Sequence, residues 1–215
     1  MSTCTPLPAA SRAEHHVVDP AILYWGTPVV LLSTVNEDGS ANLAPISSAF
    51  WLGHTAVLGI GLASHSLANL QRTGEVTLCL PGAELVDAVD RLALTTGATR
   101  LSPFKARAGY RHHQDKFGLA GLTPVPGRVH APPLVAECPV AMECTVSSVH
   151  RTDFATVTAE VDRVHVHDDI RDGDHEHRID PDRWRPLVMS FQRFYGLGPE
   201  VHPSRLATID EELYR

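Results

Sequence analysis

The sequence predicts a mainly β fold, made of short antiparallel strands with helical insertions. Three observations predict it. Apolar and β-branched residues gather in short runs, turn signals such as Asp38-Gly39 separate these runs, and few segments show a helical spacing of apolar residues. Many short strands with few helices are typical of a β-barrel or a β-sandwich.

Each element rests on its own pattern. The "NEDGS" turn at 36–40 joins the first two strands as a hairpin. The last strand alternates most strictly, with Val157, Ala159 and Val161 on one face. We expect strands at 29–35, 41–48, 55–62, 75–81, 138–150 and 154–167, and helices at 67–73, at 83–94 and within "HHQDKFGLAG".

Length and composition limit the organisation of the chain. It has 215 residues, of which 43% are hydrophobic and 20% are charged, enough for one domain with a substantial core. Residues 1–20 are expected to form a flexible lead-in, and residues 21–215 a single domain. The net charge of −7 argues against a broad nucleic-acid-binding surface.

The apolar runs and the cysteines indicate a compartment. No apolar run approaches the ~20 residues of a membrane span, and the N-terminus lacks the apolar centre of a signal peptide. None of the four cysteines forms a Cys-x-x-Cys pair, which indicates a reducing environment without a disulfide framework. We therefore expect a cytoplasmic protein that does not enter a membrane.

The stretch "GIGLASHSLANLQRTGEVTLCLPG" at 59–82 places a small polar loop before a predicted helix. Ser64, His65 and Ser66 stand at the helix start, where backbone N–H groups lack intrahelical partners and the helix dipole favours negative charge. Serine hydroxyls add donors, so the loop can hold a phosphate without a lysine. An ordinary serine N-cap is the alternative, and this segment alone favours it.

Three segments are specific in combination: "DGSANLAPIS" at 38–47, "SLANLQRTGE" at 66–75 and "KFGLAGLTPVP" at 116–126. Together they resemble the flavin reductase-like family from about residue 28 to residue 198. The tail "IDPDRWRPLVMSFQRFYGLG" at 179–198 is similar to the longer, flavoredoxin-like members. The resemblance implies a six-stranded antiparallel FMN-binding split barrel with helical excursions, assembled as a homodimer.

The resemblance also implies where the flavin binds. The family's ring-binding strand matches Ser47, Ser48, Ala49 and Phe50, with Phe50 covering an apolar edge of the ring. The family's phosphate loop matches Ser64, His65 and Ser66, with Asn69 in the helix.

Ser64 replaces the basic residue that the family usually carries in this loop. Charge neutralisation is then left to the helix dipole, to His65, or to an arginine such as Arg72 or Arg100. We expect noncovalent FMN rather than FAD, because no second nucleotide motif is evident, and we expect no metal.

The implied function is an NAD(P)H:flavin reductase that supplies reduced flavin to a partner monooxygenase. Because the cofactor itself accepts the hydride, no nucleophile or acid–base pair is needed, and the sequence carries no such motif. Two alternatives stay open: an FMN-dependent oxidase or oxygenase that acts on a small organic substrate, and a flavin-based electron carrier.

Other features have competing interpretations. His165 and His167 suit a metal pair, but a solvated acidic loop is favoured for this stretch. Phe154 stands where shorter flavin reductases carry a histidine. The aromatic residues of the C-terminal segment either wall the flavin face or pack that segment; these are Phe191, Phe194 and Tyr195.

The excursion at 95–133 carries two further expectations. Asp115 and Lys116 are interpreted as a surface pair. Apolar residues of the excursion are expected to form an exposed dimer interface; these are Leu101, Phe104, Tyr110, Phe117, Leu119 and Leu122.

Overall fold

The computed structural model describes residues 14–173, 175, 177–210 and 213. The helices are α1 (His65–Thr73), α2 (Val86–Leu92), α3 (Pro103–Arg107) and α4 (Lys116–Ala120), with short 3-10 turns at Ala83–Leu85, Asp168–Ile170 and Arg205–Thr208. The strands are β1 (Trp25–Pro28), β2 (Val30–Val35), β3 (Ala41–Ile46), β4 (Ala49–Leu52), β5 (Thr55–Ile60), β6 (Glu75–Leu80), β7 (Thr95–Thr96), β8 (Arg111–His112), β9 (Pro124–Val125), β10 (Leu134–Val135), β11 (Val140–Arg151), β12 (Ala155–Val166), β13 (Leu187–Ser190) and β14 (Arg193–Gly196). The predicted mainly β class is confirmed.

Seven antiparallel strands form the main sheet, in the order β3-β2-β6-β11-β12-β5-β4. β3 and β4 are its opposite edges, yet only Ser47 and Ser48 separate them in the chain. A connection this short spans at most about 11 Å, because consecutive Cα atoms are about 3.8 Å apart. The sheet therefore curls until its edges approach each other, and the result is a split barrel with a seam at Ser47-Ser48.

Apolar cores form on both faces of the curled sheet. Leu32 and Leu58 belong to the core that α1 covers, whereas Leu31 and Cys79 belong to the core that α2 and α4 cover. Neighbouring strand residues such as Leu31 and Leu32 enter different cores because successive side chains point to opposite faces. Full burial of each leucine stabilises the fold by about 1.5–3 kcal/mol.

The strand count and one strand end differ from the prediction. The barrel has seven strands rather than six, because β3 stops pairing with β2 at Ile46 and a new strand, β4, starts at Ala49 and pairs with β5. The small residues at 47–48 continue the pattern of an extended strand, so the sequence does not indicate this change of partner. The other predicted strands and the helix predicted at 67–73 are confirmed to within two residues at each end. The helix predicted at 83–94 is observed as a 3-10 turn at Ala83–Leu85 followed by α2.

The excursion at 95–133 is less exposed than predicted. Phe117 and Leu122 are buried, because α4 packs them into the core beside α2. Of the six residues expected to form an apolar patch, Phe104 is the one that is largely exposed, at 68%. The prediction of a contiguous exposed patch is therefore wrong.

Across the described residues, no helix combines the length and the apolar character needed to cross a membrane.

A buried carboxylate fastens the loop at 126–133 to the sheet. Glu143 of β11 is fully buried and accepts hydrogen bonds from the backbone N–H groups of Arg128, Val129 and His130 at 2.8–3.0 Å. His165 Nε2 donates to the same carboxylate at 2.6 Å. Burial alone acts to raise the pKa of Glu143, but these donors outweigh it and lower the pKa to about 2.

Candidate functional site

The first turn of α1 carries free hydrogen-bond donors. Ser64 is the N-cap residue, but its hydroxyl makes no capping bond. The first helical backbone bond runs from Ala68 N to Ser64 O at 3.3 Å, so the N–H groups of His65, Ser66 and Leu67 have no backbone acceptor in the described chain. The ordinary serine N-cap is therefore not formed, and the helix start remains open to an acceptor.

A polar network beneath this turn fixes its position. Asn42 Nδ2 donates to Ser66 Oγ at 3.0 Å, and Asn69 Nδ2 donates to Asn36 Oδ1 at 2.9 Å. His65 Nε2 lies 2.8 Å from the same Asn36 oxygen. Ser66 and Asn69 are only 1% and 3% exposed, so their side chains position the turn rather than reach into solvent. Asn42 Oδ1 is buried without a hydrogen-bond partner among the described residues.

Both lysines of the chain lie near this turn. Lys105 Nζ donates to Ala63 O at 2.9 Å and to Thr96 Oγ1 at 3.3 Å. Lys116 is 2% exposed, and no hydrogen bond or ion pair joins it to a described residue. The charges of Lys116 and Lys105 both act on His65, and that of Lys105 acts on Lys116, so the three basic groups lie near one another.

The pKa values of these groups reflect burial and mutual repulsion. Burial, followed by the charge of Lys105, lowers the pKa of Lys116 to about 8. Burial also lowers the pKa of Lys105. Burial, then Lys116, Lys105 and His112, lower the pKa of His65, with Glu37 opposing them weakly. Buried cations of this kind are costly unless an anion accompanies them, so the arrangement suits an anionic ligand.

Lys116 corrects one expectation from the sequence. The Asp115 carboxylate caps α4 by accepting a bond from Gly118 N at 2.8 Å, and Lys116 is buried, so the two do not form a surface pair.

Of the two arginines considered for charge neutralisation, Arg72 donates to Val35 O, and Arg100 lines a cleft beside His65. The signal that could have identified the lysines is their rarity, since only two of 18 Lys and Arg residues are lysines.

The segment expected to bind a flavin ring lies at the seam of the barrel. Gly59 N donates to Ser48 O at 2.7 Å, so Ser48 and Gly59 form a hydrogen-bonded pair. In an antiparallel ladder the next pair, Ala49 opposite Leu58, has its backbone groups turned away from the partner strand. The N–H of Ala49 therefore faces the seam. Ser47 and Ser48 are half-buried, and Phe50 is 53% exposed.

The two predicted halves of the site are adjacent along β5. Ser48 is bonded to Gly59 near the end of this strand, and the next residues turn into the α1 loop, where Ser64 N donates to Gly61 O at 2.9 Å. The structure therefore brings 47–50 and 64–66 to neighbouring positions at one end of the barrel.

Exposed aromatic residues stand beside the seam. Trp25 is 70% exposed and meets Phe191 edge to face, with ring centroids 4.6 Å apart. Phe191 lies at the tip of the β13–β14 hairpin, and its N–H donates to Tyr24 O at 3.0 Å. The Tyr24 hydroxyl contacts Ser48 Oγ at 3.2 Å, which ties this hairpin to the seam. Phe191 has a positive φ of 46°, a strained conformation for an aromatic residue.

A cleft of about 500 Å³ lies beside the start of α1. Its walls are the turn at 36–38, the loop at 97–100, His65, His112 and Gln114. A Cβ atom at Gly97 would lie 2.4 Å from the ring of His65 and 2.9 Å from Asn42 Oδ1, so glycine lets this loop approach the start of α1.

The histidines of the acidic stretch have structural partners. His165 bonds Glu143, and His167 Nε2 lies 2.9 Å from Ala136 O. Within the ranges that the structure describes, no group of three His, Cys, Asp or Glu residues could hold a metal ion. Phe154 is 67% exposed, and Tyr195 is 51% exposed.

Comparisons with known proteins identify the relatives. The "Uncharacterized protein YdfE" of Bacillus subtilis (strain 168) is 35% identical over 186 residues, which cover 86% of this chain and 90% of that protein. Flavoredoxin of Desulfovibrio vulgaris (Miyazaki F) superposes with a TM-score of 0.76 at 20% identity, covering 90% of this chain and 99% of flavoredoxin.

Two further solved structures share the fold at lower TM-scores. Nitrilotriacetate monooxygenase component B from Bacillus cereus superposes with a TM-score of 0.67 at 20% identity, covering 85% of this chain and 89% of component B. The NADH:FAD oxidoreductase SgcE6 of Streptomyces globisporus superposes with a TM-score of 0.62 at 14% identity, covering 83% of this chain and 90% of SgcE6.

The sequence model of the flavin reductase like domain matches residues 24–198, most of the chain. Its match agrees with the split barrel. The chain therefore belongs to the flavin reductase-like family.

Proposed function

We propose that this protein binds FMN noncovalently, reduces flavin with NAD(P)H and supplies reduced flavin to a partner monooxygenase. One observation carries the proposal: Lys105, Lys116 and His65 lie close together beside an uncapped helix start, and none of them forms an ion pair with a carboxylate of the described residues. A phosphate monoester provides the missing negative charge. FMN ends in such a group, and the family binds flavins.

The phosphate is proposed to bind between the start of α1 and the two lysines. The N–H groups of His65, Ser66 and Leu67 and the free hydroxyl of Ser64 donate to it. Lys105, held against Ala63 O, and the buried Lys116 neutralise its charge. Charge-assisted hydrogen bonds of this kind are stronger than neutral ones, and burial strengthens them further.

The flavin ring is proposed to lie along the seam. The Ala49 N–H and the hydroxyls of Ser47 and Ser48 donate to polar ring atoms, while Phe50 covers an apolar edge. Trp25 and Phe191 bound the mouth of this site and limit the access of water. The bound flavin supplies the hydride-accepting chemistry, so the protein's tasks are to hold the ring and to leave one face open.

The relatives support the reductase and its partner. One similar structure is described as an NADH:FAD oxidoreductase and another as component B of a monooxygenase. We extend both properties to this chain, together with a homodimer, a single domain over 21–215 and a cytoplasmic location. The location is supported by Cys79, Cys138 and Cys144, which are buried free thiols.

A flavin-based electron carrier is the second candidate, favoured by the TM-score of 0.76 to flavoredoxin. A carrier exchanges electrons with protein partners and need not oxidise NAD(P)H by itself. A direct FMN-dependent oxidase or oxygenase also need not oxidise NAD(P)H. It differs from a carrier because an organic substrate bleaches or turns over its bound flavin.

The decisive assay follows NADH and NADPH oxidation with excess FMN under air. A reductase consumes at least one of them at roughly ten times the free-flavin background or faster. Ser64→Asp, which places a like charge at the phosphate position, should reduce this rate and weaken FMN binding. Ser204→Asp, at an exposed turn far along the chain, is the matched control and should change neither.

One result would end the reductase proposal. If neither nicotinamide is consumed above background, while dithionite still reduces the bound FMN, the protein holds flavin but is not a reductase. The carrier or the direct oxidase then becomes the better account.

A further inference from the structure

The Ser48 hydroxyl at the seam has one hydrogen-bond partner among the described residues, the hydroxyl of Tyr24 at 3.2 Å. The backbone of Ser48 is fixed, because its carbonyl accepts a bond from Gly59 N at 2.7 Å. A Cβ atom at position 59 would lie 2.9 Å from the Ser48 Cβ, so glycine allows this close approach. The direction of the Ser48 O–H bond is then set by the contact with Tyr24, because a serine hydroxyl rotates to suit its partner.

Tyr24 is itself held by the β13–β14 hairpin. Its backbone carbonyl accepts a bond from Phe191 N at 3.0 Å and a longer one from Ser190 Oγ at 3.4 Å. The next residue, Trp25, begins β1 and pairs with Ser190 of β13. The phenol of Tyr24 therefore reaches Ser48 from a hydrogen-bonded support and not from a free loop.

The chemistry of the two hydroxyls decides which of them donates. A phenol is more acidic than an aliphatic alcohol, so it is the better donor and the poorer acceptor. Tyr24 is therefore the donor to Ser48 Oγ. The Ser48 proton is then left without an acceptor in the part of the chain that the structure describes. A free donor next to the N–H of Ala49 suits a ligand with neighbouring acceptor atoms, such as the polar edge of a flavin ring.

We infer that Tyr24 is a positioning residue for flavin reduction: its hydroxyl donates to Ser48 and thereby directs the Ser48 proton to the ring. The inference rests on the proposed function, because it requires the ring to lie along the seam.

The reason for such a residue lies in the charge that reduction brings. A hydride from NAD(P)H carries two electrons and one proton, so its transfer yields NAD(P)⁺ and leaves the ring with one more negative charge. A donor that is already aligned stabilises this charge more than it stabilises the oxidised ring. Tyr24 strengthens the Ser48 donor further, since hydrogen bonds in a chain polarise one another.

The test is the two-electron midpoint potential of bound FMN, measured in anaerobic equilibrium with a reference dye. Tyr24→Phe keeps the ring of the residue and removes its hydroxyl. It should weaken the binding of reduced FMN relative to oxidised FMN about three- to tenfold, which lowers the potential by about 15–30 mV. The affinity for oxidised FMN, measured by fluorescence titration, should change less than this. Tyr195→Phe is the matched control, since Tyr195 is half-exposed and its hydroxyl bonds no described residue; it should leave the potential unchanged.

A double-mutant comparison tests whether Tyr24 acts through Ser48. Ser48→Ala should lower the potential at least as much as Tyr24→Phe. Adding Tyr24→Phe to Ser48→Ala should lower it no further, because the hydroxyl that Tyr24 directs is gone. Adding Tyr24→Phe to Ser47→Ala should lower it by the full amount, since the hydrogen bond of Tyr24 is to Ser48.

The inference is overturned if Tyr24→Phe binds FMN with the wild-type potential. It is also overturned if Tyr24→Phe lowers the potential equally in the Ser48→Ala background, since Tyr24 then acts by another route. Both results leave the proposed FMN site standing. Wild-type protein that binds no FMN would overturn the proposed function and this inference together.

Discussion

At the scale of single residues, Lys116 is a buried cation without a partner in the described chain. Its pKa of about 8 indicates that the flavin-free protein bears a cost for holding this charge. Lys116→Met keeps the apolar stem and removes the charge. We expect it to raise the free energy of unfolding of flavin-free protein by about 1–3 kcal/mol, measured by urea denaturation at pH 7. Arg107→Met, at an exposed position, should change stability little.

We expect the same lysine to give the proposed FMN binding a pH dependence. Because burial lowers its pKa to about 8 in the folded protein, Lys116 is charged below that pH and neutral above it. FMN affinity should therefore be highest below pH 8 and decline as the pH rises through that value. Fluorescence titration of FMN between pH 6 and pH 10 tests this, and the decline should be absent in Lys116→Met. A wild-type affinity that does not change across this range would contradict the role given to Lys116.

The sequence predicted the position of the open helix start but not the charges beside it. Ser64-His65-Ser66 could be identified because an open helix start and small hydroxyl residues are local features. Lys105 and Lys116 lie about 40 and 50 residues further along the chain, and only the packing of the excursion against α1 brings them there. Ser66 and Asn69 lie in the first two turns of α1, but their side chains are engaged with Asn42 and Asn36.

At the scale of elements, Glu143 connects the loop at 126–133 to β11. Its pKa of about 2 lies below the ordinary glutamate value, so the carboxylate stabilises the fold above pH ~4.5. This contribution is lost as the pH falls from there through about 2. Glu143→Gln should lower the free energy of unfolding at pH 7 by about 2–3 kcal/mol, because charge-assisted bonds to three N–H groups and His165 are weakened.

Chemical denaturation at pH 7 and at pH 3 measures both effects, since the variant should differ from wild type less at the lower pH. Glu160→Gln, on the neighbouring strand but mostly exposed, serves as the control. An equal difference at the two pH values would show that the charge of Glu143 does not stabilise the loop.

Strand positions were predictable because period-two alternation is written into the sequence, whereas strand partners were not. The hairpin pattern at 29–48 predicts one long second strand, yet the chain changes partners at Ser47-Ser48. Closure of the barrel decides that change, and no local signal marks it. Similarly, the sequence around Phe117 and Leu122 predicts an exposed apolar patch. Both residues are buried because α2 packs against them, and no local pattern shows where α2 lies.

At the scale of the whole molecule, the exposed apolar surface is the place where we expect a second copy of the chain to bind. Leu52 and Phe50 of the edge strand β4 are 69% and 53% exposed, and Trp25 of the adjacent β1 is 70% exposed. We expect a two-fold homodimer that covers this surface, with each flavin near the boundary. Light scattering at micromolar concentration should give twice the chain mass.

A charge at the interface locates it. Leu52→Lys should produce monomers, whereas Phe104→Lys, which alters the exposed aromatic residue of the excursion, should not. Dissociation by Phe104→Lys alone would return the interface to the excursion at 95–133. A monomeric wild-type protein would exclude the dimer.

The proposed phosphate site can be tested by comparing the affinities of FMN and riboflavin, which differ only in the phosphate. Wild-type protein should bind FMN about 100-fold more tightly than riboflavin, because the open start of α1 and the two lysines recognise that group. Lys116→Met should reduce this ratio about tenfold or more and leave riboflavin affinity unchanged. If the ratio is the same in Lys116→Met as in wild type, the phosphate does not bind at the lysines, and this account of the site is wrong.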